Sequence, residues 1–414
     1  MEDNRVKITI HRGTHEIGGT CVQITAGDRS ILLDAGAPLG QSTSLVDLAR
    51  LDFSDLFISH PHQDHYGLID SVAPHQTVHI GQMGRQLIDT TKIFLGGKPL
   101  DKAFSYLKNR EWVVLNDSFK VMPYLMDHSC VDAFGFLVEV QGKKIYYSGD
   151  FRAHGRRDKA FKWFLADPPK EVDVLLMEGT MMGRDNHETP SEKAVEDKML
   201  VVLREEPGAC FLVSSGQHVD RLCAAFRACL RSGRTLVLDM YTAFVLRVVS
   251  RQMRSVPDIN ATDRIRVLVD GKTAGGHYER IKGNQEFFAG FVKDVFAKGT
   301  QIKLDELLAE PSKYLVKVSK PMRIIERLDR CSVIYSLWSG YLEEVENQEL
   351  LHSPKVRFHE IHTSGHATRD DLKKFANAVK PKKLVAIHTE YPADYTKIFA
   401  GHIEPLADGQ PLII

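Results

Sequence analysis

The sequence predicts an α/β protein in two parts, and three observations lead there. The first ~180 residues are a succession of short β-prone runs separated by glycine turns. From about residue 189 the pattern changes to alternating helix and strand, which implies a parallel, doubly wound sheet. Length and composition agree: 414 residues accommodate two domains, or one domain carrying a large insertion. With 43% hydrophobic and 26% charged residues, disordered and collagen-like classes are excluded.

Alternation and turn signals predict strands over residues 6–10, 21–25 and 30–34, punctuated by Gly13, Gly18-Gly19 and Gly27. Further strands are predicted over 56–59, 77–80, 120–126, 134–140, 144–147 and 172–177. Thr189-Pro190-Ser191-Glu192 reads as a capping box with proline at the first helical position, opening a helix that stops at Pro207-Gly208. Strand 210–213, helix 218–231 closed by Gly233, strand 235–238 and helix 242–253 follow. Residues 271–330 are less regular and lysine-rich. Lys313, Lys317 and Lys320 fit one solvated helix face or the lining of an RNA channel equally well. Gly271-Lys272-Thr273 is no phosphate loop, because Arg266 stands where the upstream glycine is required. The chain closes with strand 355–361, helix 369–379 and strand 384–387.

Net charge is zero, but residues 221–335 hold 21 Lys+Arg against 12 Asp+Glu. A basic middle segment on an acidic body is what a polyanion-binding surface requires. No apolar run approaches the ~18 residues of a membrane span, and the polar start Met1-Glu2-Asp3-Asn4-Arg5 does not read as a secretory signal. The six cysteines show no C-x-x-C pairing and sit mostly in apolar segments, so reduced thiols and a cytoplasmic location are expected. Any metal is expected on His and Asp alone.

The metal-ligand pattern is dense. His60-Pro61-His62-Gln63-Asp64-His65 follows the apolar run Leu56-Phe57-Ile58 and precedes Gly67, so it reads as a loop at the end of a buried strand. Alternate residues of an extended segment point the same way, so His60 and His62 reach one ion, and Asp64 and His65, after a turn, reach a second. Imidazole nitrogen with carboxylate oxygen suits zinc, with manganese the second choice. Three more candidates stand at predicted strand ends: His128 after 121–126, Asp150 after Ser148-Gly149, and His388 after 384–387. His11, His15, His75, His79 and His277 lie outside this set and are expected on the surface or in turns, while Met181-Met182 is expected to pack against core.

Asp34, the H-x-H-x-D-H cluster, His128, Asp150 and His388 together resemble the five ordered motifs of the metallo-β-lactamase superfamily, over nearly the whole chain. The resemblance implies an αββα sandwich. By it His60, His62 and His128 hold one zinc, Asp64, His65 and His388 hold another, Asp150 bridges, and Asp34 fixes the metal-bearing loop by hydrogen bonds. Met177-Glu178-Gly179-Thr180 and Ser364-Gly365-His366-Ala367 resemble motifs A and B of the β-CASP nuclease branch, with His388 as motif C. The form His128-Ser129 with Asp132-Ala133 is most similar to the RNase J group. This implies a metallo-β-lactamase body over 1–188, an inserted doubly wound β-CASP domain over 189–345, and a return of the body over 346–414. Ser214, Ser215, Ser364 and Gly365 become candidate phosphate holders, and Asp64, His366 and Glu178 the catalytic candidates.

The expected function is a two-zinc ribonuclease acting on single-stranded RNA by an activated hydroxide, exo- or endonucleolytic. Its active site is expected in a cleft between the body and the basic insertion. His366 would donate to the phosphate, and Glu178 would orient it and keep it protonated. A single-stranded DNA nuclease, or a (thio)esterase or lactonase on the same core, is the alternative; a scaffold without activity is disfavoured by the intact ligand set. An RNase J-type C-terminal domain is not expected, so any oligomer would form by other means.

Overall fold

The first strands form where β-branched and aromatic residues alternate between tight turns: β1 (Val6–Arg12), β2 (Cys21–Ala26), β3 (Arg29–Leu33), β4 (Asp55–Phe57), β5 (Thr77–Ile80) and β6 (Ala103–Tyr106). Next come β7 (Val113–Asn116), β8 (Phe119–Leu125), β9 (Phe134–Val140), β10 (Lys143–Tyr147) and β11 (Val174–Glu178). The middle of the chain adds β12 (Ala209–Val213), β13 (Thr235–Leu238), β14 (Ile265–Leu268), β15 (Gln301–Ile302), β16 (Tyr314–Lys317), β17 (Cys331–Tyr335) and β18 (Val356–Glu360), and the last part adds β19 (Lys383–Ile387) and β20 (Pro411–Ile413). This computed structural model describes residues 5–40, 45–184, 189–269, 276–296 and 299–414. Gly271-Lys272-Thr273 and the expected boundary at 188 lie outside them.

Two compact units emerge. The first comprises Met1–Arg85, Leu100–Thr189 and Gly365–Ile414. It contains two sheets, ordered β20-β1-β2-β3-β4-β5-β6 and β19-β11-β10-β9-β8-β7. One core joins them: Ile8, Ile24 and Leu33 from the first sheet meet Val121, Phe136, Ile145 and Leu176 from the second. Side chains alternate across a strand, so Tyr146 and Leu175 face the other way. There they pack with Phe161 and Phe164 of helix Asp158–Ala166 and Phe375 of helix Arg369–Val379. The Phe164 and Phe375 rings stack at 4.4 Å.

The second unit comprises Gln86–Pro99 and Pro190–Ser364. Its sheet has the order β15-β14-β13-β16-β12-β17-β18, and each pairing is parallel. The chain starts at β12, winds outward through β13 to β15, then returns through β16 and crosses to β17 and β18. That reversal is the doubly wound pattern the alternation implied. Among the described residues no helix is long and apolar enough to cross a membrane.

Four expectations need correction. The return to the first unit comes at Gly365 rather than 346, because β18 pairs with β17 (Cys331↔Val356 through Tyr335↔Glu360) and so extends the inserted sheet. Lys313, Lys317 and Lys320 do not share a helix face: Lys317 ends the interior strand β16 and is buried beside Asp239. The helix Glu192–Glu205 is capped by Ser191, whose hydroxyl accepts from the Ala194 amide, so Pro190 precedes the cap instead of occupying the first turn. His79 and His277 are buried, the first stacked on Phe57 at 4.2 Å and the second edge-on to Phe94 at 4.8 Å.

His79 belongs to a polar cluster at the start of β4. Asp55 accepts hydrogen bonds from His79 Nε2 (2.8 Å), Arg29 (2.7 Å) and the Ser54 hydroxyl (2.6 Å). Burial pushes its carboxyl up, but these donors outweigh burial and hold it down at about 2. A depressed carboxyl contributes stability that is complete above the unfolded pKa near 3.9 and lost as pH falls through the folded value. Asp55→Asn is therefore expected to lower unfolding free energy by on the order of 2 kcal/mol at pH 7. Urea melts should show the gap to wild type closing between pH 4 and about 2.

Candidate metal centre

In the first unit the strand ends converge their polar residues. His60 and His62 follow β4, while Asp64 and His65 lie on the short helix Gln63–Tyr66. His128 follows β8, Asp150 follows β10, Glu178 is the last residue of β11, and His388 follows β19. Two glycines make the approach feasible. Gly149 adopts φ +54° ahead of Asp150, and at Gly36 a Cβ would sit 1.8 Å from the Asp64 carbonyl oxygen.

His60 Nε2 and His128 Nε2 lie 3.0 and 3.2 Å from His62 Nδ1. Their tautomers follow from the outer contacts. His128 Nδ1 is 2.6 Å from the Gly365 carbonyl, which can only accept, so the ring donates there and turns a lone pair inward. The Ser59 hydroxyl donates to Asp34 Oδ2 (2.6 Å), so it accepts from His60 Nδ1 at 3.0 Å, again leaving Nε2 unprotonated. A proton on His62 Nδ1 can satisfy only one of its two neighbours; a cation would satisfy all three. Burial keeps the rings neutral, with His60 and His128 held well below the ordinary imidazole value and His62 near 4 despite the Asp64 carboxylate.

A second group adjoins it. His65 Nε2 is 3.1 Å from Asp150 Oδ2 and 3.7 Å from Asp64 Oδ2. His388 Nε2 is 3.7 Å from Asp64 Oδ2 and 3.8 Å from Asp150 Oδ2, and no hydrogen bond satisfies it among the described residues. Asp150 Oδ2 also lies 3.7 Å from His60 Nε2, so one carboxylate oxygen stands between the two groups. Burial disfavours charge on His65, yet Asp150, Asp64 and Asp34 hold its pKa well above the ordinary value. The pocket thus carries negative charge that calls for a positive partner, and the donor set fits divalent zinc. Asp34, at φ +59°, accepts from the Ser59 amide (2.6 Å), the Ser59 and Tyr147 hydroxyls and His65 Nδ1 (2.7 Å). It thereby orients His65 directly and His60 through Ser59.

Glu178 and His366 form a third group. His366 Nδ1 is 3.4 Å from Glu178 Oε1 and 3.7 Å from Asp150 Oδ2. The Thr180 and Phe151 amides donate to Glu178 at 3.0 and 3.4 Å, fixing its carboxylate. Burial lowers the His366 pKa, but Glu178 and then Asp150 raise it above its ordinary value.

The candidates from sequence therefore meet in one place, except the serines. Ser214, Ser215 and Ser364 belong to the second unit. Ser214 follows β12, buried, with no hydrogen bond to its hydroxyl among the described residues; the Ser215 hydroxyl accepts from the Gln217 amide at 3.2 Å. Sequence reasoning missed the partners that set ring orientation: Ser59, Tyr147 and Thr20, whose hydroxyl is 2.7 Å from His388 Nδ1. It also missed Cys130, whose sulfur shares a 4.8 Å cluster with His60, His62 and His128. The placement of Cys130 two residues after His128 was the available signal.

Residues 29–254, more than half of the chain, match the β-lactamase superfamily domain, and residues 354–402 match the Zn-dependent metallo-hydrolase RNA specificity domain. The chain belongs to the metallo-β-lactamase superfamily and is a metal-dependent hydrolase. Within that superfamily it is of the β-CASP, RNase J-like kind. It is 23% identical to Ribonuclease J of Mycoplasma pneumoniae, across 93% of this chain and 68% of that protein. It is likewise 23% identical to Ribonuclease J 2 of Streptococcus pyogenes serotype M3, across 99% of this chain and 76% of the relative. A crystal structure of a protein of unknown function from Enterococcus faecalis V583 covers 99% of the chain at TM-score 0.79 and 19% identity, which establishes a shared fold.

Proposed function

We propose that this chain is a zinc-dependent ribonuclease hydrolysing phosphodiester bonds of single-stranded RNA. The observation that carries the reading is Asp150 Oδ2, 3.1 Å from His65 and 3.7 Å from both His60 and His366. It links two sets of metal-ligand atoms to the His366 imidazole. The names of the relatives and the RNA specificity match supply the substrate class.

On this reading His60, His62 and His128 hold one ion, Asp64, His65 and His388 a second, and Asp150 serves both. Two such ions, when bound, supply an activated water at neutral pH and offset charge on the phosphate. The protein's own part is positional. Asp34 and Ser59 fix two imidazole tautomers, so the ligand lone pairs need no rearrangement. His366, kept protonated by Glu178, donates to a phosphate oxygen as negative charge grows there. The Gly365 backbone is proposed to hold the phosphate chain, and a cytoplasmic location suits the reduced thiols.

The test uses end-labelled RNA carrying a 5′-monophosphate, 5′-triphosphate or 5′-hydroxyl, matched single-stranded DNA, and a thioester. RNA cleavage that disappears in Asp64→Ala is expected. Nucleotide-by-nucleotide release marks an exonuclease and internal fragments an endonuclease. Equal cleavage of the DNA would show that 2′-hydroxyls are not read, and thioester hydrolysis without RNA cleavage would overturn the reading.

A further inference from the structure

We propose that Cys130 is a sulfur ligand of the cation held by His60, His62 and His128, adding one sulfur to their three nitrogens and the shared Asp150 oxygen. The proposal rests on the metal-centre reading above and concerns a residue outside its ligand set. The Cys130 sulfur and one ring nitrogen from each histidine all lie within 4.8 Å of one another, and Cys130 is fully buried. Its segment is held in place. The Arg157 guanidinium donates to the carbonyls of both His128 (3.0 Å) and Cys130, and the His128 ring is tied to the Gly365 carbonyl. His128 and Cys130 are therefore presented together on one pinned segment.

Charge gives the sulfur a purpose. The three imidazoles are neutral, so the one anion near this ion is Asp150, which the second group shares; a thiolate would add a charge belonging to this ion alone, with its proton passing to solvent as the metal enters. A plain space-filling thiol would need no such company. The other five cysteines are also buried, and none joins a potential metal-binding group among the described residues. The two groups would then differ in softness: sulfur and nitrogen at one, oxygen and nitrogen at Asp64, His65 and His388. A soft ligand favours zinc over manganese, so Cys130 makes the centre selective for zinc.

Cobalt(II) is the probe, titrated into the metal-stripped full-length chain. A sulfur-to-cobalt charge-transfer band in the near ultraviolet is expected, beside the visible bands that report binding. Cys130→Ser should keep the visible bands and lose the ultraviolet one. Zinc-edge X-ray absorption of the wild type should show a sulfur scatterer at about 2.3 Å besides nitrogen and oxygen at about 2.0–2.2 Å, which decides the matter even if the variant fails to fold. Visible bands without the ultraviolet band, or an ultraviolet band that survives in Cys130→Ser, would overturn the proposal and leave the metal centre standing. No cobalt uptake at all would remove both.

Discussion

Asp150→Asn is expected to cut hydrolysis by more than about a thousandfold, because removing an outer-shell partner alone typically costs about 10–100-fold and Asp150 touches both ligand groups. Asparagine keeps the shape but removes the charge. Burial alone would raise the Asp150 carboxyl; His388, His65 and His366 instead hold it well below the ordinary range, so it is a committed anion. Its loss strips the main carboxylate from His65 and the shared oxygen from His60 and His388. Metal analysis of the purified variant should show reduced stoichiometry, while far-ultraviolet circular dichroism stays that of the wild type. Retention of wild-type turnover would remove Asp150 from the centre and with it the paired-group reading.

The centre was legible because its residues interrupt apolar runs. His60, His128, Asp150 and His388 each follow a buried hydrophobic strand, where a polar side chain without a task would be a desolvation burden. The H-x-H-x-D-H spacing tied them together. What escaped depends on pairing between distant segments. Lys317 looked solvent-facing because lysine usually is, and its strand is recognisable only through the parallel neighbours β12 and β13. β18 is half exposed, and its local pattern is the same whichever sheet it joins; only the register Cys331↔Val356 assigns it to the insertion. Asp55 and His79 made the same point in reverse. Each is unremarkable alone in sequence, and their 2.8 Å contact across β4 and β5 gives both a structural role. Cys130 belongs to no C-x-x-C pair, and the His60 and His62 rings near its sulfur come from a segment far away in sequence, so only the fold brings the four together.

His366→Ala should lower kcat by about 10²–10⁴-fold, the range for a positioned proton donor, while the metal content stays that of the wild type. Those two outcomes separate a substrate-facing imidazole from a ligand: a ligand would take its ion with it. Glu178→Gln tests the pairing more finely. The glutamine can still accept from the Thr180 amide, now 3.0 Å from the carboxylate, so the local backbone is retained. What disappears is the anion 3.4 Å from His366 Nδ1. Glu178 is the largest of the carboxylate influences raising the His366 pKa against burial. A raised imidazole stays charged to higher pH, so removing the anion lets it deprotonate earlier. The alkaline limb of the kcat profile should therefore move towards acid in Glu178→Gln, with a smaller loss on the acid side where His366 remains protonated. A uniform loss at every pH would assign Glu178 to holding the Phe151 and Thr180 backbone alone, and His366 would then act without it.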